Sequence, residues 1–174
     1  MKRKKAVRKA PAKKAAAKKR VQPIPAGYHS VTPYLAIHGA AEALAFYKKA
    51  FGAKEIMRMP GPDGKLGHAE IKIGDSRVML SDEYEAMAFL SPQSRGGTTV
   101  HIHLYVKDVD ATVARAAGVG AKLARPIQDQ FYGDRTGSIE DPFGHLWHIA
   151  THKEDLSMAE LKRRAEKTVK ERSG

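Results

Sequence analysis

From residue 28 onward the chain reads as short strand-like apolar runs, interrupted where apolar residues fall at helical spacing. Residues 29–37 predict a strand. Residues 40–50 predict a helix, with Leu44, Tyr47 and Phe51 at helical spacing and Gly52 as the C-terminal stop. Residues 54–59, 66–73 and 77–80 predict three further strands, with turns at Gly61-Pro62-Asp63-Gly64 and Gly74-Asp75. A polar stretch, 82–98, closes on Gly96-Gly97. The order then returns: a strand over 100–106, a helix over 109–117, a strand over 122–127, and a hairpin formed by 133–140 and 145–151. The hairpin turns at Asp141-Pro142-Phe143-Gly144, where Asp first, Pro second and Gly fourth match a type I turn.

The second half repeats the first in register. Ile37 corresponds to Val106 at an offset of 69, and Gly52-Ala53-Lys54 to Gly120-Ala121-Lys122 at 68. Gly74 and Gly144 each open the last strand of a half and lie 70 apart. One amphipathic helix for four strands is too little to cover a sheet alone, so the halves are expected to pack together or to pair across a dimer. A final helix is predicted over 157–170. Ser157 and Glu160 form its capping box, and Met158, Leu161, Ala165 and Val169 its apolar stripe.

Composition changes this picture at the N-terminus alone. The net charge of +12 suggests a polyanion binder, yet residues 1–20 hold eleven of the 31 basic side chains and no acid. The other 154 residues carry 20 basic and 19 acidic side chains, an ordinary near-neutral domain. Residues 1–27 are low-complexity and expected to be disordered, with nonspecific nucleic-acid contact through residues 1–22 as their functional reading. Cysteine is absent, which excludes disulfides, thiolate nucleophiles and cysteine metal ligands. No apolar run approaches the roughly 20 residues that span a bilayer, and no secretory signal pattern is present, so a cytoplasmic protein without membrane contact is expected.

Eight motifs in order carry a resemblance. They are Val31-Thr32-Pro33-Tyr34-Leu35, Phe46-Tyr47-Lys48-Lys49-Ala50-Phe51-Gly52-Ala53, Gly67-His68-Ala69-Glu70, Leu80-Ser81-Asp82-Glu83, Gly96-Gly97-Thr98, His103-Leu104-Tyr105-Val106, Tyr132-Gly133-Asp134-Arg135 and Asp141-Pro142-Phe143-Gly144-His145-Leu146-Trp147. Over residues 28–155 the chain resembles the vicinal oxygen chelate superfamily, which includes glyoxalases, bleomycin-resistance proteins, fosfomycin-modifying enzymes and extradiol dioxygenases. More narrowly it is similar to the PhnB-like branch. The resemblance implies an α+β fold of tandem βαβββ modules, a curled mixed sheet around a cavity. The first module would span 28–82, a linker 83–98 and the second module 99–152; the segment 156–174, which holds the predicted C-terminal amphipathic helix, lies beyond the resemblance. The resemblance also implies a homodimer with a small-molecule ligand.

In metal-dependent members of that superfamily the ligands come from the first and last strands of each module. Those positions fall on Thr32 and His101, and on His148 and the Val78–Met79 pair. His68 is a third imidazole candidate, so the implied cofactor is one divalent metal (Zn, Ni, Mn or Fe) or none. Glu70 and Glu140 are candidate general bases on third strands. Tyr132, Arg135, Trp147 and His103 are candidate substrate contacts, Arg135 because its fork matches a carboxylate or phosphate. Arg135 in a salt bridge to Asp134 or Asp141, and Trp147 in the core, are the competing structural readings. Two functions stay open: a metal-assisted lyase, isomerase or transferase acting on adjacent oxygens, or a metal-free protein that sequesters a drug or metabolite.

Overall fold

The computed structural model describes residues 21–173. The first module contains β1 (Tyr34–Ile37), α1 (Ala40–Phe51), β2 (Lys54–Pro60), β3 (Leu66–Ile73) and β4 (Ser76–Asp82). A one-turn helix, α2 (Pro92–Arg95), lies in the connection. The second module follows as β5 (His101–Tyr105), α3 (Val109–Gly118), β6 (Lys122–Asp129), β7 (Asp134–Glu140) and β8 (Leu146–His152), and α4 (Met158–Ser173) ends the described chain. The modules form separate four-stranded mixed sheets, β1-β4-β3-β2 and β5-β8-β7-β6. In each, the first strand pairs parallel with the last and the other pairs are antiparallel.

The predicted elements form, with shifts that have local causes. β1 starts at Tyr34, not at residue 29, because Pro33 has no N–H to give a ladder. The preceding chain instead carries Tyr28 back over the first sheet. Gly52 ends α1 in the left-handed region (φ 66°), its N–H on the Lys48 carbonyl. The start of α1 has no side-chain cap of its own. Asp82, at the far end of β4, accepts from the N–H groups of Gly39 (3.1 Å) and Ala40 (3.0 Å), and through its second oxygen from Leu66 (2.6 Å). A carboxylate at a helix N-terminus satisfies orphan donors and matches the helix dipole.

One face of each sheet is covered by its helix, and α1 and α3 pack on each other, so the core runs between the modules. Trp147, Tyr47, Ile37, Leu44, Ile71, Leu80, Ile139 and Ile149 are fully buried there. Asp141 ties the two halves together inside this apolar volume. One of its oxygens accepts the backbone N–H groups of Phe143 and His145 (both 2.9 Å). The other accepts the Tyr47 hydroxyl (2.7 Å) and the Trp147 indole N–H (2.9 Å). Burial, with the Asp141 carboxylate beside it, pushes the Tyr47 phenol well above its ordinary value.

The predicted turn forms, with the Gly144 N–H on the Asp141 carbonyl. Gly144 sits at φ 82°, and a Cβ there would stand 2.9 Å from the Pro92 Cβ, so the hairpin tip packs against α2. In α4 the Glu160 N–H bonds the Ser157 hydroxyl (3.2 Å), while the Glu160 carboxylate turns to Arg163 and Arg164. No described helix is long and apolar enough to cross a membrane. Residues 1–20, the strongly basic part of the N-terminal segment, lie outside the described residues.

Candidate functional site

The sheet faces turned away from the helices are open. On the second sheet His101, His103 and Tyr105 project from β5 by strand alternation, and His148 projects beside them from β8. His101 Nδ1 and His148 Nε2 face each other at 2.8 Å. His148 Nδ1 in turn meets the Ser138 hydroxyl at 2.6 Å. Ser138–His148–His101 is thus a continuous hydrogen-bonded chain that can carry its protons in either direction. Burial, and then the neighbouring charges of His101, Arg125 and His103, hold His148 below the ordinary histidine value, which favours its neutral form. Beside it opens a hollow of about 420 Å³, lined among others by His103, Arg125, Tyr132, Ser138 and His148.

The strand registers define what stands at the same place in the first module. Tyr34 and Glu70 both pair with Met79, as His103 and Ser138 both pair with His148. The last-strand position of the first module is therefore Met79, whose thioether is a poor partner for a hard divalent cation. The corresponding first-strand residue is Thr32. On this open face Glu70 is buried and fully engaged by the Tyr28 hydroxyl, Arg77 (2.8 Å) and His68 (3.4 Å). Burial works to raise the Glu70 carboxyl, yet those hydrogen bonds together bring it below its ordinary value. His68 also meets the Tyr34 hydroxyl at 3.0 Å.

Five expectations need correction. His68 does not join His101 and His148 within one chain, because it stands on the other sheet; among the described residues no group of three His, Asp or Glu side chains could hold a metal. Glu140 is exposed at the far end of β7 and lines a separate hollow beside α2, away from His148. Arg135 points to the helix side of its sheet, where Asp110 takes two of its N–H groups (2.8 Å each) and Asp129 a third (3.2 Å). The salt-bridge reading is right in kind, with different partners from the Asp134 and Asp141 expected. Trp147 lies in the core on Tyr47 and Phe51 and is 1% exposed, so the core reading holds. Glu70, though on an open face, is held by Arg77 and is a poor free base.

Ser138, Arg125 and Asp141 were missed as site or scaffold groups. Ser138 was within reach of the sequence: counting outward from the turn pairs it with His148. Arg125 had no such signal, because β6 departs from regular pairing on both sides of it.

This architecture defines a class. The family model for the Glyoxalase/Bleomycin resistance protein/Dioxygenase superfamily matches residues 29–149, and the chain belongs to that superfamily. An uncharacterized protein of Mycobacterium tuberculosis, Rv0887c, is 44% identical over 135 residues, 76% of this chain and 79% of that one. TioX from Micromonospora sp. ML1 aligns over 74% of this chain and 100% of its own, with a TM-score of 0.56 and 25% identity. The fosfomycin resistance protein FosX of Listeria monocytogenes, solved with Mn(II) and 1S,2S-dihydroxypropylphosphonic acid, shares the fold at a TM-score of 0.55 and 19% identity, over 77% and 94% of the two chains.

Proposed function

We propose that the protein binds a small organic molecule in the hollow beside His148 and sequesters it without a resident metal. The observation that carries this reading is the Ser138–His148–His101 chain at the edge of an open hollow walled by Tyr132 and Phe131. It supplies orienting hydrogen bonds in a concave surface, as small-molecule sites require. A resident catalytic metal usually has three protein ligands, and here two imidazoles converge. Their facing nitrogens stand 2.8 Å apart, whereas two ligands on one tetrahedral ion stand about 3.3 Å apart for bonds of about 2.05 Å.

A second reading has its own support. The rings need to part by about 0.5 Å, and the Ser138 contact orients His148 as outer-shell partners orient metal ligands. His101 and His148 would then hold a divalent ion, Zn, Ni, Mn or Fe, which would polarise adjacent substrate oxygens. The remaining donors would come from substrate, water or a second copy. A homodimer suits both readings, since Tyr34, Met59, Val100, Tyr105 and Leu123 leave large apolar surface exposed.

The test is metal content per chain of protein purified without chelator, beside His101→Ala and His148→Ala. Far less than one metal per chain, with none acquired from added Zn, Ni, Mn or Fe, is expected. About one metal per chain, lost in both variants, refutes sequestration without metal and establishes the second reading. Nonspecific nucleic-acid contact by residues 1–22 is a separate proposal. It fails if DNA affinity and its salt dependence survive deletion of that segment.

A further inference from the structure

We infer that the hollow beside His148 selects anions, with Arg125 as the residue that determines this specificity and an aromatic carboxylate or phosphonate as the ligand class. The inference rests on the reading of this hollow as a ligand site and adds the chemistry of what enters it.

Three independent observations carry it. First, the lining holds one guanidinium, two imidazoles, the amides of Gln128 and Gln130 and three hydroxyls, but no carboxylate. Second, Arg125 has no partner. Arg58, Arg77, Arg135, Arg163 and Arg164 are paired with carboxylates, and Arg95 and Arg115 bond a carbonyl and a hydroxyl. Among the described residues, the Arg125 side chain makes no hydrogen bond or ion pair, although its backbone stays in the ladder opposite Ser138. Third, β6 is deformed around it. Pairing with β7 slips between Leu123 and Arg125 and again between Arg125 and Gln128, and Pro126 lies in this irregular stretch of an edge strand. Gly137 permits the close approach, since a Cβ there would stand 2.8 Å from the Ile127 side chain.

The other module supplies a control. Arg125 pairs with Ser138 as Met57 pairs with Glu70, so the same kind of slip in the first module delivers an apolar side chain. There the carboxylate is already supplied by the protein, as Glu70 on Arg77. In the second module the cation is present and its anion is not. A guanidinium fork fits a carboxylate or a phosphonate, and Phe131 and Tyr132, packed edge to face at 5.3 Å, give a wall for an aromatic body.

The experiment is calorimetric titration of the full chain with benzoate, phenylphosphonate and neutral benzamide at fixed ionic strength, comparing wild type, Arg125→Gln, Arg135→Gln and His148→Ala. At least one anion is expected to bind about tenfold or more better than benzamide, the range of a charge-assisted contact. Arg125→Gln should remove that advantage and Arg135→Gln, on the other face of the sheet, should keep it. Which anion responds distinguishes carboxylate from phosphonate. A urea transition like that of wild type shows that Arg125→Gln folds. Anion binding unchanged in Arg125→Gln overturns the inference and points to the basic residues 1–20. Failure of both anions to bind at about 10 mM also overturns it. Benzamide binding as well as the anions, and losing affinity in His148→Ala, overturns anion selection while leaving the ligand site standing.

Discussion

Replacing Asp141 with Ala tests the claim that one buried carboxylate holds the two modules together. The side chain is 3% exposed and accepts four hydrogen bonds, from Tyr47, Trp147 and the backbone of Phe143 and His145. Alanine leaves these donors facing apolar surroundings, and each buried donor without a partner costs roughly 1–3 kcal/mol. The costs do not add fully, because the small side chain leaves room for relaxation. A total of about 3–5 kcal/mol is expected, as when a buried polar network loses its centre. That is a large share of a net stability of about 5–15 kcal/mol. Trp147 is the one tryptophan of the chain and touches Asp141, so urea unfolding followed by its fluorescence reads the transition directly. Asp141→Asn keeps an oxygen for the two backbone donors but sets an amide against the indole N–H, and should cost less, about 1–2 kcal/mol. A cost below about 1 kcal/mol for Asp141→Ala would refute the reasoning, as would an Asn variant less stable than the Ala variant.

Two further outcomes follow from the same core. The Tyr47 phenol is raised in the folded state, so its contribution is intact below pH 10.0, the ordinary value, and stability falls as pH climbs past that point. Tyr47→Phe should flatten that alkaline slope in urea midpoints measured from pH 8 to 11, and an unchanged slope would mean Tyr47 does not cause it. Gly144→Ala places a Cβ at φ 82° against Pro92 and should cost about 1–3 kcal/mol in the same unfolding assay, a prediction that a neutral substitution would sink.

The periodicity of Leu44, Tyr47 and Phe51, the stop at Gly52 and the Asp-Pro-Phe-Gly turn are local rules, and each produced the element it predicts. Repetition of that order at offsets near 69 was enough for the tandem fold, because two copies of one pattern must bury the same faces. The faces themselves were also legible in part: alternation put His101 and His103 on one side of their strand, the resemblance put His101 and His148 at ligand positions, and the rings of His101 and His148 face each other in the structure. Longer-range matters were not. Nothing near Asp82 in the chain says that its carboxylate caps α1, because the two meet through the parallel pairing of β1 with β4. For Arg135 the sequence left an anion clamp and a salt bridge both open until the sheet turned it toward Asp110 on α3, and for Trp147 a wall and the core until Tyr47 and Phe51 closed over it. Arg125 was invisible for the opposite reason: a slipped strand re-aims it, and alternation cannot count through a slip. The sequence by itself determined the elements, their order and the repeat, since these rest on contacts within a few residues. Only the tertiary structure decided which charges neutralise one another inside the protein and which side chain, that of Arg125, stays without such a partner, because that depends on groups brought together from distant parts of the chain.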